Sequence, residues 1–194
     1  MRVCYTLFET ELGWIGLVGS VAGLRRTVLP QPSPEAVLDL LARGLPEAVV
    51  DPSPFGDLPL RLRRYLAGEQ VPFDDELDLA DATPFSRDVW QATRLIPYGE
   101  TQSYSWIAQQ IGRPRALRAV GQALGRNPLP IVVPCHRVLS KDGSPGGFSG
   151  GLEMKKRLLE LEASSPMAHS SPETEQAPPW LPRPSRRAPR AYRA

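Results

Sequence analysis

Cysteine and histidine are scarce in this chain, with two of each among 194 residues. Two cysteines cannot build a disulfide framework, which points to a reducing, cytoplasmic setting. Two cysteines and two histidines without ligand spacing make no convincing four-ligand zinc site, so a zinc centre is not expected. Long apolar runs are missing as well. Nothing approaches the roughly 18 consecutive residues that a membrane-spanning helix needs, and the N-terminus carries no signal-peptide pattern. A membrane partner is therefore not expected. What remains is ample for a core: 41% of the residues are hydrophobic, enough for one or two packed domains.

The net charge of +2 conceals an uneven distribution. Residues 1–84 hold 7 basic and 13 acidic residues, residues 85–163 hold 11 and 6, and residues 164–194 hold 5 and 2. A basic second half behind an acidic first half fits a chain in which one domain binds a polyanion. Ordinary surface variation is the alternative reading.

Short β-type runs open the chain at Val3–Phe8, Trp14–Val18 and Leu24–Leu29, punctuated by Gly13, Gly19 and Gly23. They predict a small antiparallel meander, in which Cys4 is a buried strand residue. Ser33-Pro34-Glu35 is a helix start, with Ala36, Leu38, Leu40 and Leu41 expected on the buried side. Leu60 to Ala67, closed by Gly68, predicts a second helix. Polar residues from Asp78 to Thr83 mark a linker, so residues 1–80 and 81–163 are expected as two domains. Seven prolines among residues 164–194 predict a disordered tail, which includes His169.

Beyond Pro84 the apolar period becomes helical, with Phe85, Val89, Ala92 and Ile96 on one face. Ser103 is placed to cap a short helix over Tyr104–Ile111, stopped by Gly112. Pro114 is expected to begin a third helix, with Leu117, Val120 and Leu124 as its stripe and Gly125 as its stop. Two short helices joined by Gly-Arg-Pro form a helix-turn-helix pattern. The third helix also carries Ala116, Ala119, Gly121 and Ala123, with Arg115 and Arg118 as its long side chains. Small residues let a helix approach a groove closely, while arginine reaches phosphate or enters a base stack. Lys141 to Ser144 predicts a turn consistent with a wing, and Leu152–Glu162 a final helix.

The chemistry concentrates in Ile131-Val132-Val133-Pro134-Cys135-His136-Arg137-Val138, read as a buried strand broken at Pro134. A thiol attacks as thiolate, and a nearby imidazole that takes the proton is the usual remedy. Adjacent strand residues point to opposite faces, so a bent backbone or a bridging water must connect Cys135 to His136. The histidine needs a third group to fix its tautomer. Glu162 is one candidate, which sequence distance alone does not single out.

Pro134-Cys135-His136-Arg137-Val138 after Asn127-Pro128 resembles the active-site signature of the O6-alkylguanine-DNA alkyltransferases, also called methylated-DNA–protein-cysteine methyltransferases. The resemblance runs through Thr83-Pro84-Phe85, Val89-Trp90, Ile96 to Thr101, Arg118-Ala119-Val120-Gly121, Ser149-Gly150-Gly151, Lys155 and Leu158 to Glu162. It implies an α+β protein: a ribonuclease-H-like β-meander and helix domain without catalytic duty, then a helical winged-helix domain that binds DNA and carries the chemistry. It implies double-stranded DNA with O6-alkylguanine as partner, O4 of thymine as a further target, no cofactor and a monomer. By residue, it implies Cys135 as acceptor, His136 as base through water, Glu162 as its orienting carboxylate and Tyr104 as donor to the leaving guanine. Arg118 becomes the finger that fills the vacated stack, with Ala119, Arg115 and Ser103 as further DNA contacts. Asn127, Ser149, Phe148 and Pro130 fall in the substrate pocket or its supports, Phe148 standing where many members carry tyrosine. The principal rival is a DNA damage sensor without transfer activity, but such relatives replace the acceptor cysteine, and this chain keeps it.

Overall fold

The computed structural model describes residues 2–42 and 48–164. It is a mixed α+β arrangement with a small sheet and six α-helices. The tail expected over 164–194, His169 included, lies outside the described residues apart from Ser164.

The meander forms as the glycine-punctuated runs predict: β1 Cys4–Thr10, β2 Gly13–Ser20 and β3 Gly23–Gln31 pair antiparallel, and β4 Val49–Val50 pairs parallel with β1. The strand order is β3-β2-β1-β4. Cys4 is buried within β1, as expected. Helix α1, Pro34–Ala42, covers one face of the sheet. Its buried residues are Val37 and Leu41, four apart and so on one face, with Leu40 partly buried beside them. Leu38 points outward at 38% exposure, which corrects the expected buried side. The packing is close: a Cβ on Gly16 of β2 would fall 2.5 Å from Val37 Cγ1.

Helix α2, Leu58–Leu66, lies on the other side of the sheet and buries Leu58, Leu62, Tyr65 and Leu66. Their apolar surface joins that of α3 (Pro84–Arg94), α4 (Tyr104–Gln110), α5 (Leu117–Gly125) and α6 (Leu152–Ala163) in one contiguous cluster. Ile15, Leu17 and Leu62 from the first half therefore share a core with Val89, Ile96, Ile107, Val120 and Leu158 from the second. The expected linker, 78–83, carries no helix or strand, although Asp78 N–H donates to Leu24 O of β3. Thr83 then caps α3 by accepting from Ser86 N–H.

Two further expectations are corrected. Pro114 does not begin a helix: the chain first makes a turn in which Ala116 N–H donates to Arg113 O, and α5 starts at Leu117. The Lys141–Ser144 turn forms as expected, with Ser140 N–H donating to Ser144 O. Beside it, β5, Gln102–Ser103, pairs parallel with β6, Val138–Leu139. The largest change is at 131–133, which is buried but is no strand. Pro128, Pro130 and Pro134 supply no amide donors, so a ladder cannot be sustained there. The backbone turns on itself instead, with Val133 N–H donating to Leu129 O and Ile131 held at φ 76°. A β-branched residue in that region is a rare, strained conformation.

Trp90 ties α3 to α5: its ring is buried and its Nε1–H donates to Ala123 O at 2.9 Å. Trp90→Phe removes that bond and part of the ring volume. It is expected to lower unfolding free energy by about 2 kcal/mol in urea denaturation. A change below about 0.5 kcal/mol would show that the tie carries no stability.

Candidate active site

The coil at 127–137 is held by one side chain. Asn127 accepts from Leu129 N–H through Oδ1 at 3.0 Å. Its Nδ2 donates to Val133 O at 2.9 Å and to Cys135 Sγ at 3.1 Å. A single amide thus fixes the backbone before the cysteine and touches the sulfur itself. Cys135 to Arg137 then form one 3₁₀ turn, the bend that brings the cysteine and histidine side chains onto separate tasks.

Cys135 is 5% exposed, and burial pushes its thiol pKa up. The Asn127 hydrogen bond and the nearby Lys155 ammonium oppose that rise. The cysteine therefore rests as a thiol, and its deprotonation needs a base. His136 is fully buried and its pKa is lowered, first by burial, with Arg137 and Lys155 adding to the effect against Glu162. It is a neutral imidazole at neutral pH. Its Nε2 lies 2.8 Å from Glu162 Oε1 and 3.2 Å from Tyr65 Oη. An ionised carboxylate can only accept, so the imidazole proton sits on Nε2. Nδ1 is buried, has no protein partner among the described residues and keeps its lone pair.

Glu162, near the end of α6, collects donors from three other segments. Tyr65 Oη–H of α2 donates to Oε1 at 2.6 Å, and Gly99 N–H donates to Oε2 at 3.1 Å. Arg137 donates from Nε to Oε2 at 3.0 Å and from Nη2 to Oε1 at 2.9 Å. Burial would raise the carboxyl pKa, but His136 and Arg137 more than reverse that and hold it at about 2. Arg137 is itself fixed by donating to Ile96 O at 2.7 Å and lying over the Tyr98 ring.

Of the remaining predicted residues, Tyr104 interacts with Cys135, and the others lie outside this hydrogen-bonded group. Tyr104 opens α4 and is half-buried, its ring near Gly121 of α5 and its hydroxyl against Gly146. Gly146 has φ +59°, and any Cβ there would meet that hydroxyl. Burial and the neighbouring Cys135 raise the Tyr104 pKa, so its hydroxyl stays a donor. Phe148 packs against the core, Pro130 is buried in the coil, and Ser149 is exposed on the loop before α6. Arg115, Arg118 and Ala119 are exposed at and before the start of α5, and neither arginine forms a salt bridge among the described residues. The Ser103 hydroxyl accepts from Trp106 N–H at 3.1 Å, so it serves as the cap of α4.

Three residues of the site were not assigned from the sequence. Arg137 was quoted only within the signature. Lys155 is fully buried, its Nζ donating to Val138 O at 2.6 Å and to Pro145 O, and burial lowers its pKa to about 8. Its spacing with Leu158, Leu159 and Glu162 along one helical face was the available signal. Tyr65 belongs to the half expected to have no catalytic duty, yet its hydroxyl contacts both Glu162 and His136. No helix among the described residues is long and apolar enough to cross a membrane.

Because the Glu162 pKa is depressed on folding, its contribution to stability is present above the ordinary carboxylate range and is lost as pH falls toward 2. Glu162→Gln is expected to lower unfolding free energy by about 3 kcal/mol at pH 7, since it strands Arg137. The difference from the parent should narrow at pH 3. Urea denaturation at both pH values checks this, and an equal difference at each would contradict the ionised state.

Residues 84–164 match the family described as 6-O-methylguanine DNA methyltransferase, DNA binding domain. A methylated-DNA–protein-cysteine methyltransferase of Mycobacterium tuberculosis is 53% identical over 114 residues, covering 59% of this chain and 68% of the relative. One from Methanosarcina acetivorans is 39% identical over 161 residues, covering 82% of this chain and 98% of the relative. Among solved structures, Mycobacterium tuberculosis OGT in complex with DNA superposes with a TM-score of 0.69 at 41% identity, covering 81% of this chain and 92% of that one. The O6-methylguanine-DNA methyltransferase of the archaeon Pyrococcus kodakaraensis gives a TM-score of 0.62 at 30% identity, covering 83% and 99%. With 39% identity across almost the whole of one such relative, and a buried cysteine, histidine and carboxylate in the order the family signature requires, the chain belongs to the methylated-DNA–protein-cysteine methyltransferase family.

Proposed function

We propose that this chain repairs DNA directly, by transferring a methyl or other alkyl group from O6 of guanine to Cys135 in a single irreversible turnover. The observation that carries the reading is the relay itself: a neutral His136 with Nε2–H on Glu162 and a free lone pair on Nδ1, one residue from a buried thiol that Asn127 holds by its sulfur.

The steps follow from these groups. The Cys135 proton passes through one water to His136 Nδ1, and Glu162 stabilises the imidazolium that forms. The sulfur attacks the alkyl carbon in line, so the S–C bond forms as the C–O6 bond breaks. Both bonding electrons leave with the guanine oxygen, the anion is stabilised and protonated at a ring nitrogen by Tyr104, and the proton held on His136 returns through water to the Tyr104 oxygen, so that imidazole and phenol are both neutral again. The products are a thioether on Cys135 and an intact guanine. Nothing in the site removes the alkyl group from sulfur, so each molecule reacts once.

A guanine in a duplex cannot reach a thiol that is 5% exposed, so the base must leave the stack, at a cost of a few kcal/mol. The exposed start of α5 is suited to this: Arg118 enters the vacated space while Ala119 permits close approach to the groove and Arg115 contacts phosphate. Asn127, Pro130, Phe148 and Ser149 shape or support the pocket, with Ser149 near the exocyclic oxygen and Ser103 a further contact at the DNA surface. In domain terms, residues 81–163 make a winged-helix unit that carries both DNA binding and chemistry. Residues 1–80 make a ribonuclease-H-like unit against it. A monomer bound to one lesion satisfies every contact named.

A damage sensor without transfer activity would need none of the proton relay, and the complete relay favours the enzyme. Cys135→Ala is expected to abolish transfer while duplex affinity stays within about twofold, measured by single-turnover assay and fluorescence anisotropy. Transfer by that variant would overturn the mechanism. Arg118→Ala is expected to slow repair of duplex DNA by about tenfold or more while reaction with free O6-methylguanine base is nearly unchanged, because only the duplex reaction requires extrusion. Equal losses on both substrates would refute the finger role.

A further inference from the structure

We infer that Tyr65 is a positioning residue for the transfer reaction, through which the N-terminal half holds His136 in the neutral form that takes the cysteine proton. The inference rests on the proposed transfer function, and it gives residues 1–80 a part in the chemistry that the family resemblance does not assign them.

The geometry is specific. Tyr65 lies on α2 with its side chain fully buried, its ring edge-on to Phe73 and to Tyr98. The ring contacts fix where the hydroxyl sits. A phenol has a single proton, and at 2.6 Å Tyr65 Oη–H donates it in a hydrogen bond to Glu162 Oε1. The phenolic oxygen then offers only lone pairs to His136 Nε2 at 3.2 Å. Both oxygens facing Nε2 are therefore acceptors, which fixes the proton on Nε2 and leaves Nδ1 to serve as the base.

Tyr65 also sets how strongly Glu162 attracts a proton onto the imidazole. By donating to Oε1, the atom that faces Nε2, it draws charge away from the side of the carboxylate that would stabilise imidazolium. The other charged or titratable groups around His136 are Glu162 and Lys155 on α6 and Arg137 and Cys135 on its own turn, with Tyr98 beside Tyr65. Arg137 and Lys155 act against the imidazolium, and Glu162 favours it. The donation at 2.6 Å outweighs the weaker acceptance at 3.2 Å, so losing the hydroxyl strengthens the pull of Glu162.

Tyr65→Phe in the full chain tests this, since it keeps the ring and its edge contacts and removes only the hydroxyl. His136 should titrate at higher pH than in the parent, followed by the NMR resonances of its ring. Single-turnover methyl transfer should be about fivefold slower at pH 6 and recover as pH rises above 8, with half-saturation by DNA unchanged. A merely structural role would lower the rate equally at all pH values and leave the His136 titration in place, and that result would overturn the inference. So would a variant indistinguishable from the parent in both measurements. If the parent itself transferred no methyl, the functional reading would fail, and the His136 titration would still decide the role of Tyr65.

Discussion

A carboxylate buried to 1% exposure is the constraint on which this structure depends. Taking such a charge out of water costs several kcal/mol unless it is met by well-placed donors. Glu162 meets them from α2, from the turn after α3 and from the 3₁₀ turn that carries the cysteine. These donors come from three separate parts of the chain, so satisfying one charge fixes the relative positions of all three. The same hydrogen bonds orient the imidazole and select its tautomer. Fold and reactivity are here two consequences of one desolvated group.

The second constraint is the coil that presents the sulfur. Three prolines remove the amide donors that would let residues 127–134 pair as a strand, and Asn127 replaces them with three side-chain bonds. The resulting turn costs strain at Ile131. It also solves the problem that adjacent residues face the same chemistry from opposite sides: Cys135 turns toward Asn127 and His136 toward Glu162. Burial favours the protonated form of the Cys135 thiol.

Much of this was legible in the residues. The meander, α2, α3, α4 and α6 followed from glycine punctuation, capping residues and apolar period, because those signals are local. That Cys135, His136 and Glu162 belong together in the buried interior was legible through an ordered motif rather than through spacing. What failed was set by tertiary context. Ile131 to Val133 has the composition of a strand, and only the flanking prolines together with Asn127 make it a coil. Leu38 was expected inside because leucine usually is, whereas the helical period placed Val37 there instead. Lys155 and Arg137 look like surface charges until the carbonyls and carboxylate they reach are seen. Tyr65 lies 97 residues from Glu162, and no pattern in α2 distinguishes its hydroxyl from that of any other buried tyrosine.

The central claim is a covalent, stoichiometric transfer to Cys135, and the most direct test is mass spectrometry. The protein is mixed with duplex DNA carrying one O6-methylguanine, and both intact and peptide masses are read. The account predicts one added methyl per molecule, confined to the peptide holding Cys135, with no further reaction when fresh DNA is supplied. Tight binding with no change in mass would contradict it and leave a protein that recognises damage without repairing it.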